Sequence, residues 1–259
     1  MSDKVLSFKV IESVAVIKMN NPPVNALTLD FLEEFEVAVG KIEKSTNIRA
    51  ALIASECTGF FSAGDDVSEL GEIDENMIAL LPRVHNVLSM FEALRVPTVA
   101  AINGHALGGG LELALTCDFR FMGIDSGTIG LPEIRLGMIP AFGGTQRLPS
   151  IVGRVKATEM MYKGLMISPE QAKEIGLVND IFEQEALYEK SFDYALRLSK
   201  QAVGAIGRIK QCILNGMYSG PEAGFEVEME MFRENIISDE VKEGVDAFLT
   251  GRKAVFRKE

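Results

Sequence analysis

The chain has 259 residues, 47% of them hydrophobic, enough for a large core and for one α/β domain or a domain with a helical appendage. Its 26 Lys and Arg against 37 Asp and Glu give a net charge of −11, which argues against a nucleic-acid surface but leaves room for a local anion site. Three scattered cysteines and two histidines indicate neither a disulfide framework nor a zinc site, and argue against a His-rich metal site. The opening MSDKVLSFKV reads as neither a signal nor a transit peptide, and no apolar run approaches membrane-spanning length. A cytoplasmic protein with no membrane or nucleic-acid partner is expected.

Residues 5–11 and 14–19 alternate as two strands joined at Glu12-Ser13. Asn21-Pro22-Pro23-Val24-Asn25 stops the second, and Thr28 is placed to cap a helix whose apolar face is Phe31, Leu32, Phe35, Val39 and Ile42. Residues 49–54 read as a buried strand, followed by a loop holding FFSAGDDVSEL. A helix over 80–94 is expected, with Pro82 in its first turn. Residues 98–102 form the next strand. The chain then turns through Asn103, Gly104 and His105, passes Gly108 to Gly110 and continues as an apolar helix. This order suggests right-handed crossover units and an α/β core.

After Phe121 the pattern loosens, although Leu131, Ile134, Leu136 and Met138 suggest a packed loop. From Gly153 the chain reads as almost wholly helical. Ser168-Pro169-Glu170-Gln171 carries a capping box, Gly176 ends that helix, and a short strand over 178–182 follows. Four further helices are expected over 186–198, 202–214, 221–236 and 239–249. The division expected is a core over 1–195 and a helical region over 196–259.

Two turns have the same character. Ala63-Gly64-Asp65-Asp66 follows one strand and Gly108-Gly109-Gly110 another, and glycine lets the backbone approach a ligand closely. Together the turns suit two N–H donors to one carbonyl oxygen, an oxyanion hole. Each alone reads as tight packing or turn geometry before function. Neither a dinucleotide fingerprint nor a phosphate loop fits the spacing. Glu112 stands among Leu111, Leu113, Ala114 and Leu115. A carboxylate there is either catalytic or held by an Arg or a backbone donor. Glu133, in Leu-Pro-Glu-Ile, reads as solvated or functional.

In combination these stretches resemble the crotonase, or enoyl-CoA hydratase/isomerase, superfamily over residues 8–256. The matching segments are NPPVNAL (21–27), FFSAGDDVSEL (60–70), AINGHALGGGLELALTCD (101–118) and LPEIRLGMIPAFGGTQRL (131–148). The later ISPEQAKEIGLVNDIF and EGVDAFLTGRKAVF match as well.

The resemblance implies an α/β spiral of repeated β-β-α units with a helical C-terminal region for trimerisation. It implies an oxyanion hole from the N–H groups of Asp65 and Gly109, gripping the thioester oxygen of an acyl-CoA. Glu112 and Glu133 stand where hydratases carry two catalytic glutamates, and no metal or redox cofactor is implied. Coenzyme A, as part of the substrate, would run along the loop containing Ala63, Asp66 and Val67. Ala141 would border the water site. Phe232 and Phe248 would reach CoA from a neighbouring subunit of a homotrimer or homohexamer, or else pack as ordinary helix residues. Ser68 and Gly251 stand where basic residues are common, with Arg252 or Lys253 available to compensate. Hydration of a 2-enoyl-CoA is the reaction expected. Isomerisation, cyclic dienoyl-CoA hydration, thioester hydrolysis and decarboxylation are the alternatives within the family, and a non-catalytic RNA-binding role is one outside catalysis.

Overall fold

The computed structural model describes residues 4–64 and 75–256, with the backbone alone for residues 75–77. The expected β-β-α repeat is present. β1 (Leu6–Ile11), β2 (Val14–Met19) and α1 (Leu29–Lys44) open the chain. β3 (Ala50–Ser55), β4 (Gly59–Ser62) and α2 (Glu75–Glu92) form the second unit, and β5 (Thr98–Ile102), β6 (Gly104–Leu107) and α3 (Gly109–Leu115) the third. β7 (Phe119–Gly123) and β8 (Ile129–Gly130) lead through a 3-10 turn, Glu133–Leu136, into α4 (Gly144–Val152).

β1 and β2 both lie in the larger of two sheets, while the later strand pairs β3/β4, β5/β6 and β7/β8 are each split between the two. The larger has the order β1-β2-β3-β5-β7-β10, with β10 at Asp180–Phe182, and is parallel except for β1. The smaller has the order β4-β6-β8-β9, with β9 at Met166–Ile167. Strand alternation sorts side chains to opposite faces of the large sheet. Ala15, Ile17, Ala51, Ile53, Ala100 and Ile102 join the main core with the α1 face Phe31, Phe35 and Val39. Val14, Val16, Leu52, Val99 and Phe121 face the other way, against Leu187 and Ala195 of α7 (Gln184–Ser199).

Thr28 caps α1 as expected, its Oγ1 accepting from the Phe31 amide at 3.3 Å. The box at Ser168 caps α6 (Pro169–Glu174), after α5 (Arg154–Lys163). The C-terminal helices are α8 (Val203–Ser219), α9 (Pro221–Ile236) and α10 (Asp239–Thr250). α8 is tied to the core by buried Lys210, whose ammonium donates to the Val96 carbonyl at 3.0 Å and pairs with Asp118 at 2.7 Å. The expected 195/196 division falls within α7.

Four expectations are corrected. Pro82 lies inside α2, because the helix begins at Glu75 rather than near Leu80. Residues 104–107 form β6 rather than a turn, since Gly104 and His105 pair with Gly59 and Phe60. The helix after the glycines is only seven residues long, and the apolar run beyond it supplies β7 instead. Of Leu131, Ile134, Leu136 and Met138 in the loop after β8, only Leu131 is buried. Ile134 and Leu136 are exposed on the 3-10 turn.

Candidate active site

α3 begins at Gly109, behind Gly108 at φ +52°, a left-handed conformation that favours glycine. As first residue of the helix, Gly109 carries an N–H with no intrahelical acceptor. The second glycine turn lies against it: a Cβ on Gly64 would stand 2.9 Å from the Gly109 nitrogen. The end of β4 and the start of α3 are thus brought together, as the sequence suggested.

The chain before Gly64 is fastened by side chains that the sequence reading did not single out. The Ser62 hydroxyl donates to the Asn25 carbonyl at 2.7 Å and accepts from the Gly64 amide at 3.1 Å. Asn25, itself at φ +52°, donates from its side-chain amide to the Phe61 carbonyl and to Ser55. Ala63, partly buried, donates its N–H to the Val24 carbonyl at 3.0 Å. Asp65, Asp66, Val67 and Ser68 lie outside the described residues.

Glu112 is only 2% exposed. Its Oε1 accepts from the amides of Phe142 at 2.8 Å and Gly144 at 2.6 Å. Gly144 is the first residue of α4, so the carboxylate also meets the positive end of that helix. A backbone-held carboxylate was one of the two readings of Glu112, and the structure shows this contact. It is compatible with catalysis, because donors that fix one oxygen also orient the carboxylate. A Cβ on Gly144 would stand 2.9 Å from Glu112 Oε1, so glycine there makes room for the acid. Glu133, half-buried at the start of the 3-10 turn, brings Oε1 to 3.3 Å from where a Gly108 Cβ would be.

Both glutamates line one cavity of about 250 Å³, together with Ala141 and an apolar wall that includes Leu27, Phe31, Phe35, Leu88 and Met138. A wider depression of about 760 Å³ on α1 is lined by charged groups, and there Arg83 pairs with Glu36 at 2.6 Å. Phe232 and Phe248, on α9 and α10, are 63% and 85% exposed and do not line the cavity. Gly251 caps α10 at φ +67°, which accounts for glycine there. The Arg252 guanidinium is taken up by Glu243 and Asp246, each at 2.6 Å, and hydrogen bonds to both hold its pKa above the ordinary value. That pairing competes with any phosphate contact by Arg252 and leaves Lys253 as the other cation of the pair.

The family model for enoyl-CoA hydratase/isomerase matches residues 9–259. A short-chain-enoyl-CoA hydratase of Clostridium acetobutylicum is 34% identical, over 93% of this chain and 92% of its own. A crotonyl-CoA hydratase of Syntrophomonas wolfei is likewise 34% identical, over 95% of both chains. The crystal structure of an enoyl-CoA hydratase from Geobacillus kaustophilus HTA426 superimposes with a TM-score of 0.94, covering 99% of this chain and 98% of that one at 34% identity. Likeness over nearly the whole length, in sequence and in fold, makes this chain a member of the enoyl-CoA hydratase/isomerase, or crotonase, family.

Proposed function

We propose that this protein is an enoyl-CoA hydratase, adding water across the C2–C3 double bond of a 2-enoyl-CoA to give a 3-hydroxyacyl-CoA. The observation that carries the reading is the meeting of Glu112 and Glu133 on one small cavity that is otherwise apolar except for Thr28. About 250 Å³ falls below the roughly 300–1,000 Å³ of sites that enclose a drug-sized ligand. Such a cavity suits the acyl chain and leaves the nucleotide of CoA outside.

The thioester oxygen would accept from the Gly109 N–H and, following the family pattern, from Asp65. Negative charge developing on that oxygen as the enolate forms is then met by preorganised donors. Glu112, oriented by the Phe142 and Gly144 amides, takes a proton from the water that attacks C3. Glu133 delivers a proton to C2, and the reverse reaction exchanges these roles. Ala141 borders the water. Ala63, Asp66 and Val67 would flank pantetheine and adenine, while Phe232 and Phe248, exposed in the single subunit, would contact CoA across a trimer interface.

Loss of the 2-enoyl thioester ultraviolet absorbance, with crotonyl-CoA and a longer enoyl-CoA, tests the proposal. Glu112→Gln and Glu133→Gln are each expected to lower kcat by about a hundredfold or more while the protein stays folded. Native protein that binds CoA thioesters but hydrates neither would sink the hydratase assignment and turn attention to isomerising, hydrolytic and cyclic substrates.

A further inference from the structure

Behind Glu112 lies a buried ionic group on the side away from the cavity. The Arg147 guanidinium, 4% exposed, donates through Nε and Nη2 to Glu92 Oε2 at 3.1 and 2.9 Å. Its Nη1 donates to the Phe142 carbonyl at 2.9 Å. From α8 the Tyr218 hydroxyl reaches both oxygens of Glu92 at 3.0 Å. Phe142 is therefore gripped at both polar ends: Arg147 takes its carbonyl, and its amide holds Glu112. Gly143, at φ +102°, leaves the guanidinium its path, since a Cβ there would collide with Nη1.

We propose that Arg147, clamped by Glu92 and Tyr218, is a positioning residue that fixes the two amides holding Glu112. A hydrophobic side chain of similar volume would fill the space at less desolvation cost, because burying an ion pair is expensive. The group instead supplies three directed contacts, and the one to the Phe142 carbonyl fixes the Phe142–Gly143 peptide, which joins the two peptides whose N–H groups hold Glu112. Burial works against the Arg147 charge, but the hydrogen bond and charge of Glu92, with smaller effects from Tyr218 and Glu112, hold its pKa above the ordinary value. The cation is thus permanent and electrostatically in touch with Glu112.

This proposal rests on the hydratase reading for its kinetic arm only. Among the described residues, the charged and titratable groups arranged around Glu112 are Glu133 from the 3-10 turn and Arg147 from α4. Glu92 from α2 and Tyr218 from α8 act through Arg147. Removing the Glu92 charge leaves the Arg147 cation uncompensated, which favours ionised Glu112. Removing Arg147 leaves Glu92 as a buried anion and does the opposite.

The test compares native protein with Arg147→Met, Arg147→Lys, Glu92→Gln and Tyr218→Phe. Arg147→Met is expected to lower kcat on crotonyl-CoA by about a hundredfold, the cost of a slight misplacement of a catalytic group. KM should stay within about twofold, and Arg147→Lys should recover part of the loss. The acid limb of the kcat–pH profile should move to lower pH in Glu92→Gln and to higher pH in Arg147→Met. Tyr218→Phe should show the smallest effect. Hydrogen exchange at the Phe142 and Gly144 amides, measured without substrate, should quicken in Arg147→Met and Glu92→Gln. If native protein hydrates nothing, the hydratase reading fails while amide exchange still judges the brace. Unchanged exchange in a folded variant overturns the proposal, as does an unchanged kcat and acid limb in hydrating protein. Where Arg147→Met does not fold, Glu92→Gln decides by the same criteria.

Discussion

Gly144 and Gly110 would both meet an obstacle if given a methyl group, yet the obstacles differ in kind. At Gly144 the nearest atoms are the ends of side chains, Leu131 Cδ1 at 2.8 Å and Glu112 Oε1 at 2.9 Å. At Gly110 the methyl would run into the backbone carbonyl of Ser62, which has nowhere to go. Gly144→Ala is therefore expected to displace the carboxylate and lower kcat by about a hundredfold with little loss of stability. Gly110→Ala should destabilise the fold by about 1–3 kcal/mol through overpacking, seen as a lower urea midpoint. Equal stability losses in the two variants would refute the distinction. The same contrast explains what the sequence revealed of the site. Glu112 was legible because a carboxylate among leucines is chemically out of place. The Phe142 and Gly144 amides that hold it were not, since a backbone N–H leaves no mark in residue type. Only the double glycine at 143–144 records them. Arg147 went unremarked because an arginine after Gly-Gly-Thr-Gln resembles a solvated one until Glu92 and Tyr218, distant in sequence, are seen to enclose it.

Among the elements, those with strong local signals were legible and those made by pairing were not. α1 carried a cap and a full apolar face, and β3 and β5 were continuous apolar runs, as strands buried on both faces require. β8 and β9 have two residues each, too few to show alternation, and β6 contains His105 and begins at a glycine. These become strands only because a neighbour supplies hydrogen bonds. The second sheet thus escaped notice, although it positions the ends of β4 and β6 beside the cavity. α2 was shortened in the sequence reading because Pro82 looked like a first-turn residue. In the helix interior its ring nitrogen cannot donate to Ile78, and the element continues through that lost bond. The α6 capping box is the clearest local signal and also the simplest to test. Ser168 accepts from the Gln171 amide at 3.3 Å and its own amide donates to the Gln171 side chain at 3.0 Å. Ser168→Ala should cost about 1 kcal/mol in denaturant unfolding. α6 lies away from the cavity, so enoyl-CoA turnover should be unchanged, and a drop in kcat would mean that α6 reaches the site.

At the scale of the molecule, α8, α9 and α10 leave apolar side chains uncovered. Ile209 and Ile213 of α8 are exposed, as are Phe225, Met229, Phe232 and Ile236 at helical spacing along α9. Phe248 and Leu249 of α10 extend the series. Soluble monomers seldom present so many large apolar groups together, and contiguous patches of this kind mark interfaces. The arrangement suits the trimer that the family resemblance implies, and it ties the Tyr218–Glu92–Arg147 brace to assembly. Tyr218 is half-exposed on α8, the helix that packs against α9, so assembly would limit the freedom of the group that clamps Arg147. Phe232→Asp places a charge in the middle of the α9 stripe without removing any buried contact of the subunit. Sedimentation velocity should give native protein a mass three or six times the chain's 28.3 kDa, and the variant should shift toward the single-chain value. If assembly supports the brace, dissociated Phe232→Asp should also exchange its Phe142 and Gly144 amides faster than native protein. A native chain that sediments as a monomer would remove the trimer, and with it the placement of Phe232 and Phe248 against a neighbour's CoA. Dissociation with unchanged exchange would keep the interface and confine the brace to the single subunit.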